Sequence, residues 1–291
     1  MIIANAPRFL FLQDTTGDDR ADVRREIMTG WSVADTHGGP SNLQYGFDNR
    51  IWGSVGDAGF DGDVNGRRVR FDAAIYRFRV DGSELETVAR FDNNTWALGF
   101  SETFEIFANT ANNEHSVHIA IPDRHFDGIT GLRGKGWQRL DGHYARHALA
   151  RTRQVDYPGG FTAAGGHSLY TARSFPREYW NRIAFVHDAT GALVHRAILE
   201  PVGSGYRELD GWNLVATADE WASPVQAQVG PDGAVWILDW YSFIKQHNPT
   251  PPGFETGAGG AYETPLRDRQ MGRIYRLVWK YAQPYGTSDQ S

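Results

Sequence analysis

Apolar and polar residues alternate in short runs along much of the chain, and turns rich in glycine, asparagine and aspartate separate these runs. The stretch Ala227 to Tyr241, AQVGPDGAVWILDWY, illustrates the pattern: an alternating run reaches a Gly-Pro-Asp-Gly turn, and a second apolar run follows. Alternation with a period of two predicts strands, and a tight turn between two such runs predicts a hairpin.

The same hairpin frame occurs twice more. Leu43 to Val55 carries a glycine, an aspartate and a tryptophan at the spacing found in the first stretch. The two matching sets are Gly46, Asp48, Trp52 and Gly230, Asp232, Trp236. Leu98 to Thr110 has a degraded turn but keeps the apolar-aromatic pair, Ile106 and Phe107. Because a single hairpin cannot bury its own faces, we predict an all-β protein, a β-propeller of about five to six four-stranded blades with long inserted loops.

Turn signals divide the chain into about five β units. Their approximate bounds are Ile2 to Thr29, Asn42 to Arg90, Thr95 to Ile121, Gly166 to Leu199, and Val225 to the segment GRIYRLVW. An excursion rich in glycine, arginine and histidine, Pro122 to Arg153, follows the third unit and is long enough to be a functional loop. We expect residues 1–291 to form a single propeller domain, and its apolar start suggests that N-terminal strands of the full domain are missing.

Composition limits the partners. The 291 residues carry a formal net charge of -6, which offers no basic surface to nucleic acid or to an anionic membrane, so neutral polar substrates fit better. The absence of cysteine excludes disulfides, thiolate metal sites and covalent haem attachment. The N-terminal residues MIIANAPRFLFLQ lack a basic region and an unbroken apolar run, so we expect neither a signal peptide nor a membrane span there.

The segment DTTGDDRAD has the pattern of a calcium-binding loop. Oxygen-bearing side chains fall at its first, third, fifth and ninth positions, namely Asp14, Thr16, Asp18 and Asp22. Asp19 stands where a glycine normally makes the sharp turn, and Arg25 stands where a final carboxylate would be. We predict a metal site at these four residues, and the alternative is an Asp-rich turn held by hydrogen bonds from its own backbone.

Two polar turns are candidates for substrate chemistry. His37 follows Asp-Thr and precedes Gly-Gly-Pro on an exposed turn, where an imidazole can meet a ligand and act as a base; a capping or packing histidine is the alternative. Asn93 and Asn94 stand beside Trp96, so amide groups adjoin a flat ring that can stack on a quinone or a sugar. A turn followed by a core tryptophan explains the same residues equally well.

Two further histidines stand at predicted loop ends. His167 lies at a strand entrance within the glycine-rich stretch YPGGFTAAGGHSLYTA, where small residues let the backbone approach a ligand. His247 belongs to a polar cluster after the strand ending in Asp-Trp-Tyr, which a solvated surface also explains. The sequence contains no nucleophile-elbow, zinc-protease, P-loop or dinucleotide motif, so hydrolase and nicotinamide functions lose their simplest support.

The order of these motifs resembles that of a known family. The segments that carry the likeness are ANAPRFLFLQDTTGDDRADV, DTHGGPSNLQYG, NNTWALGF, YPGGFTAAGGHSLYTA, EYWNRIAFV, WNLVAT, VGPDGAVWILDWY, HNPTPPGF and GRIYRLV. Together they span nearly the whole chain. They resemble the β-propeller region of the membrane-bound dehydrogenase family of the Planctomycetes and Verrucomicrobia type, which is related to the soluble glucose and sorbosone dehydrogenases that depend on pyrroloquinoline quinone (PQQ).

The resemblance implies a set of site residues. His37, followed by a Gly-Gly pair and the Gly-Asp-Ala-Gly loop Gly56 to Gly59, is similar to the general base of these enzymes. Asn93 and Asn94, before Ala97-Leu98, are similar to a quinone-contacting Arg-Asn pair, although here the arginine is missing and alanine replaces a glycine. The cofactor contacts that we expect are Asn93, Asn94, Trp96, His167 and His247.

The activity implied by the resemblance is PQQ-dependent oxidation of a carbohydrate hydroxyl or hemiacetal, with calcium increasing the electrophilicity of the quinone. Electrons would pass to an external acceptor such as a cytochrome or a quinone, and the protein would be periplasmic or exported. Two other functions stay open. A calcium-supported sugar or lactone hydrolase or lyase would use the same histidine and aspartates without a quinone. A non-catalytic glycan-binding propeller is favoured by the missing arginine.

Overall fold

The computed structural model describes residues 1–131, 135–140, 147–151, 160–246, 250–268 and 270–282. Across these residues the chain forms twenty β-strands and three short 3₁₀ turns, Asp123–His125, Arg177–Tyr179 and Ala258–Gly260. No helix in this part of the chain is long and apolar enough to cross a membrane.

The strands form five sheets of three or four strands and one additional two-stranded sheet. The first sheet contains β1 (Ile2–Asn5), β2 (Arg8–Gln13) and β3 (Val23–Thr29). The second contains β4 (Pro40–Tyr45), β5 (Ile51–Val55), β8 (Ala74–Phe78) and β9 (Glu86–Arg90), and the two-stranded sheet contains β6 (Phe60–Val64) and β7 (Arg67–Phe71). The third contains β10 (Thr95–Phe100), β11 (Ile106–Thr110), β12 (Val117–Ile119) and β13 (Trp137–Arg139). The fourth contains β14 (Ala164–Leu169), β15 (Ile183–Asp188), β16 (Leu193–Val202) and β17 (Gly205–Ala216). The fifth contains β18 (Pro224–Val229), β19 (Val235–Asp239) and β20 (Arg273–Leu277).

Strands that are neighbours in a sheet are also neighbours in the chain, apart from the β6–β7 hairpin inserted between β5 and β8. This is the up-and-down strand order of propeller blades. Each of the five sheets contains one of the five β units expected from the sequence, but two sheets extend further. The stretch Pro122 to Arg153, expected to be a loop, supplies β13 as the fourth strand of the third sheet, and β17 lies beyond the expected end of the fourth unit at Leu199. The first and fifth sheets have three strands among the described residues, whereas we predicted four in each blade.

The hairpin frame that repeats in the sequence also repeats in the structure, where all three copies share one backbone hydrogen bond. In each copy the first turn residue donates its backbone N–H to the carbonyl oxygen four residues later: Gly46 to Arg50 (2.8 Å), Ser101 to Glu105 (3.0 Å) and Gly230 to Ala234 (2.9 Å). In the two intact copies the tryptophan indole N–H donates to the turn aspartate: Trp52 to Asp48 (2.9 Å) and Trp236 to Asp232 (3.3 Å). In the degraded copy the Ser101 hydroxyl oxygen accepts from the Glu105 backbone N–H instead, at 2.9 Å.

The chain divides into two compact units. The first comprises Met1–Leu98, Ile119–Gln138 and Gln246–Thr264, and the second comprises Gly99–His118, Arg139–Lys245 and Pro265–Ser291. The core of the first unit is largely aromatic, with Phe9 stacked on Trp31 at 4.6 Å and Trp31 packed edge-on against Phe60 at 4.8 Å. Burial of such large rings dominates the hydrophobic stabilisation of a small core. The prediction of a single domain stays a prediction.

The second unit is built around β15, which is buried along its whole length. Ala184 and Val186 face one apolar cluster, whereas Ile183 and Phe185 face another. A strand that is covered on both faces is expected to be continuously apolar, as the run IAFV is. The same strand ends in His187 and Asp188, which are also fully buried. The interior of this unit therefore contains polar groups as well as an apolar core.

Candidate functional site

His37 lies on a turn that its own neighbours hold in place. The Asp35 carboxylate oxygen Oδ1 accepts the backbone N–H groups of His37 (2.7 Å) and Gly38 (2.6 Å). The His37 side chain is half-buried, and the turn leads directly into β4. Asp35 therefore fixes the backbone from which the imidazole projects.

A second turn packs against the first. The Gly38 carbonyl oxygen accepts the backbone N–H groups of Gly56 (3.0 Å) and Ala58 (3.2 Å), which belong to the Gly-Asp-Ala-Gly loop after β5. A Cβ atom on Gly38 would lie 2.9 Å from the Ala58 nitrogen, so a glycine is needed for this approach. The His37 turn and the Gly56–Gly59 loop are thus joined by two backbone hydrogen bonds.

The third component is the turn before β10. The Asn94 side-chain oxygen accepts the Asp57 backbone N–H at 3.2 Å, and a Cβ atom on Gly56 would overlap this oxygen. The Trp96 ring lies edge-on to the His37 ring, with ring centroids 6.1 Å apart. Three segments that are far apart in sequence therefore meet in the first unit. They bring together four of the predicted site residues, namely His37, Asn93, Asn94 and Trp96.

The surroundings of this site are acidic. Partial burial raises the pKa of the Asp57 carboxyl, and the nearby carboxylates of Asp35 and Asp72 raise it further. An imidazole, an indole ring and carboxylates suit a neutral polyhydroxyl ligand, because hydroxyl groups can donate to the carboxylates while the ring covers an apolar face. A cation would also be attracted here.

The predicted calcium loop is held by its own backbone. Asp14 accepts hydrogen bonds from the backbone N–H groups of Thr16 (2.9 Å), Gly17 (2.7 Å) and Asp19 (2.9 Å), which lower the pKa of its carboxyl. Asp22 accepts the Thr15 backbone N–H and hydroxyl, both at 2.8 Å. These contacts are those of the alternative Asp-rich turn. Metal binding at Asp14, Thr16, Asp18 and Asp22 stays a prediction.

His167 lies in the second unit, whereas the other described site residues lie in the first. Its side chain is fully buried, its ring stacks in parallel on Phe107 at 5.6 Å, and its Nε2 atom is 2.9 Å from the Ser116 hydroxyl. Burial lowers the pKa of His167 to about 4. These contacts are those of a packed core histidine, and its role in cofactor binding stays a prediction. The predicted contact His247 lies outside the described residues.

His167 belongs to a larger group of histidines in the second unit. Of the ten histidines in the sequence, five are buried among the described residues of this unit: His115, His118, His167, His187 and His195. Two of them share one carboxylate oxygen, since the Nε2 atoms of His115 and His195 lie 2.8 Å and 3.1 Å from Oε1 of Glu208. The sequence prediction did not include this group. In β16 the alternation places His195 on the buried face, but no pattern in β17 marks Glu208, which is buried while its apolar neighbour Leu209 is exposed.

Comparisons with solved structures show the fold. An oxidoreductase of Thermus thermophilus, described as a glucose dehydrogenase, is 16% identical, with 93% of this chain and 74% of that chain covered and a TM-score of 0.56. The PQQ-bound form of an aldose sugar dehydrogenase from Streptomyces coelicolor is 12% identical, with 95% and 74% covered and a TM-score of 0.45. The first similarity confirms the predicted propeller fold class, and the number of blades stays a prediction.

Sequence comparisons give the family. No curated protein matches the chain. The sequence profile of the family described as "Domain of unknown function (DUF7133)" matches residues 1–281, which is nearly the whole chain. The finer assignment to the Planctomycetes and Verrucomicrobia dehydrogenase type stays a prediction. A profile match of this extent means that the chain belongs to the DUF7133 family.

Proposed function

We propose that this protein is an enzyme that acts on a hydroxyl or hemiacetal group of a carbohydrate, with His37 as the general base. The observation that carries the proposal is the meeting of the His37 turn, the Gly56–Gly59 loop and the Asn94–Trp96 segment through direct hydrogen bonds and ring contact. Each segment is a part of the site that the family resemblance implies. Their convergence gives one place where a base, an aromatic ring and amide groups can meet a ligand.

The residues have separate tasks in this proposal. A neutral His37 imidazole accepts the hydroxyl proton. Asp35 accepts the backbone N–H of His37 and so keeps the imidazole in a fixed position relative to the substrate. Trp96 covers the apolar face of the sugar ring. Asn93 and Asn94 offer amide groups to its oxygens. Positioning of this kind supplies a large part of the rate enhancement when proton acceptor and substrate are held within hydrogen-bond reach.

In the specific reaction that we propose, Asn93, Asn94 and Trp96 would hold PQQ beside His37. When bound, it would supply an electrophilic quinone carbonyl that accepts a hydride, and an external acceptor would take up the electrons. PQQ is a tricarboxylate, and the acidic groups near His37 oppose an anion of that kind. A calcium ion between these carboxylates and the cofactor would offset the repulsion, and we propose that calcium accompanies PQQ. Export from the cytoplasm, which cell fractionation can test, is part of the same proposal.

The test is a titration of the purified protein with PQQ, in the presence and absence of calcium, followed by dye reduction with a panel of aldoses and uronic acids. We expect saturable binding that requires calcium, and sugar-dependent dye reduction. The H37Q variant should lose about 10²- to 10⁴-fold in kcat with little change in KM, since it loses general-base catalysis. The H125Q variant is the matched control, because His125 is an exposed histidine of the same unit.

Three other outcomes would each lead to a different conclusion. Unchanged turnover in H37Q would remove His37 from the mechanism. Hydrolysis of sugar lactones that needs calcium but no quinone would support the second candidate, a metal-supported hydrolase, which the carboxylates near His37 favour. Sugar binding without turnover of any kind would identify a glycan-binding propeller.

A further inference from the structure

The β16–β17 hairpin directs a histidine and two carboxylates to one face of its sheet. The two strands pair with Leu199 opposite Glu208 and with Ala197 opposite Asp210. Side chains that are opposite each other, or two residues apart on one strand, share a face. His195 therefore lies on the same face as Glu208 and Asp210. The small side chain of Ala197 leaves room for Glu208 to reach His195 across this face.

The second histidine comes from another sheet. His115 lies in the turn between β11 and β12, which is closed by a hydrogen bond from the Thr110 backbone N–H to the Glu114 carbonyl oxygen at 2.8 Å. Its ring stacks on Phe161 at 4.2 Å, and Phe161 also packs edge-on against His195 at 5.5 Å. One aromatic ring thus supports both imidazoles.

The three side chains converge on a common point. The closest potential ligand atoms of His115, His195 and Glu208 all lie within 4.8 Å of one another, and all three residues are buried. Two ligands that are each about 2.1 Å from one ion lie about 3.0 Å apart at a right angle and about 3.4 Å apart at the tetrahedral angle. The distances of 2.8 Å and 3.1 Å between the imidazole nitrogens and the Glu208 oxygen are close to the first value. Only small side-chain shifts are needed to admit an ion.

We propose that His115, His195 and Glu208 bind a divalent transition-metal ion, for which Zn²⁺ is the natural probe. Two imidazoles and one carboxylate are an established ligand set for such ions, which leaves a fourth coordination position open, and all three residues are buried. The site is separate from the His37 site and does not depend on the proposed carbohydrate chemistry.

Charge supports a cation at this position. A buried carboxylate is costly unless positive charge or several hydrogen bonds offset it. In the absence of an ion, both imidazole Nε2 atoms must carry a proton in order to donate to Oε1 of Glu208. A divalent ion replaces these protons and supplies the positive charge. Oδ1 of Asp210 lies 3.8 Å from Nδ1, the other ring nitrogen of His195, and adds a second negative charge beside this imidazole.

The experiment measures metal binding by the full chain. The protein is stripped with a chelator, loaded with zinc chloride and desalted, and bound zinc is then measured by mass spectrometry. The dissociation constant comes from competition with a chromophoric chelator. We expect one zinc ion per chain and a higher melting temperature with zinc than without it. Zinc-edge X-ray absorption should show imidazole ligands.

Variants locate the ion. E208Q keeps the size of the side chain but removes its charge, and it should weaken zinc binding by more than the ~10- to 100-fold that loss of a supporting group costs. H118Q is the matched control, since His118 is equally buried in the same unit but pairs with Glu105 instead. It should bind zinc like the unchanged protein. H195Q gives the same comparison if E208Q does not fold.

Three results would overturn the proposal. The first is a folded, stripped protein that takes up no stoichiometric zinc. The second is unchanged zinc affinity in E208Q and H195Q, which would place the ion elsewhere. The third is an absorption spectrum without imidazole scattering. In each case the cluster would be a hydrogen-bonded triad that only contributes to packing.

Discussion

At the scale of single residues, Gly56 has no room for a side chain. A Cβ atom there would overlap Asn94 Oδ1, the same oxygen that accepts the Asp57 backbone N–H. The backbone at Gly56 does not require a positive φ, so the constraint comes from the neighbouring segment and not from the local turn. Gly56 is therefore required by the close packing of the Asn94 side chain against this loop.

We expect G56A to lower the free energy of unfolding by about 1–3 kcal/mol, the usual cost of forcing extra volume into a filled space. In the N94A background the same substitution should cost much less, because the clashing amide is absent. Urea unfolding of the two single variants and the double variant forms a cycle that measures this coupling. Equal costs in both backgrounds would mean that Asn94 does not occupy the space beside Gly56.

At the scale of elements, the repeated hairpin is locked by an aspartate that binds both an indole and a guanidinium. Asp48 accepts from the indole N–H of Trp52 (2.9 Å) and from Arg77 on the adjacent strand (2.7 Å). Asp232 does the same with Trp236 and Arg276 in the other intact copy. In both copies the guanidinium also lies over the indole ring. The lock therefore joins the turn to the third strand of each sheet.

The variant D48A should lower the free energy of unfolding by about 2 kcal/mol, because the indole N–H of the buried Trp52 loses its acceptor. D48N should cost less, since an amide oxygen still accepts from the indole and only the ion pair with Arg77 is lost. Chemical denaturation of both variants checks the order. Equal stability of D48A and the unchanged protein would show that the lock contributes nothing.

At the scale of the whole molecule, buried histidines set a limit on stability in acid. Burial lowers the pKa of His167 to about 4 and that of His187 to about 3, from 6.5 in the unfolded chain. Above pH 6.5 both states are unprotonated, so these groups have no effect. Below it the unfolded chain takes up protons that the folded chain does not, and the free energy of unfolding falls. The loss continues until the pH reaches each folded-state pKa.

Each of these histidines should therefore cost about 1.4 kcal/mol of stability for every pH unit below 6.5. Urea unfolding at a series of pH values, from about 7 down to about 4.5, measures the slope. H187Q should reduce the slope. An identical slope in H187Q would contradict the shifted pKa.

The sequence by itself determined what depends on neighbours along the chain. Alternation and turn residues located the five β units and the repeated hairpin frame, because the period of a strand and the geometry of a tight turn are local properties. The motif order also placed His37, the Gly56–Gly59 loop and Asn94 in one expected site.

Only the tertiary structure decided which inward faces meet. His115 and Glu208 are separated by 93 residues, and no local pattern relates them. Periodicity in β16 is compatible with an inward His195, but in β17 it favours Leu209 rather than Glu208, and it does not tell which histidine from another sheet lies opposite. The same reasoning explains why Gly56 looks like an ordinary turn glycine until Asn94 is placed beside it. Contacts between distant segments depend on how whole sheets pack, and that information is spread over the entire chain.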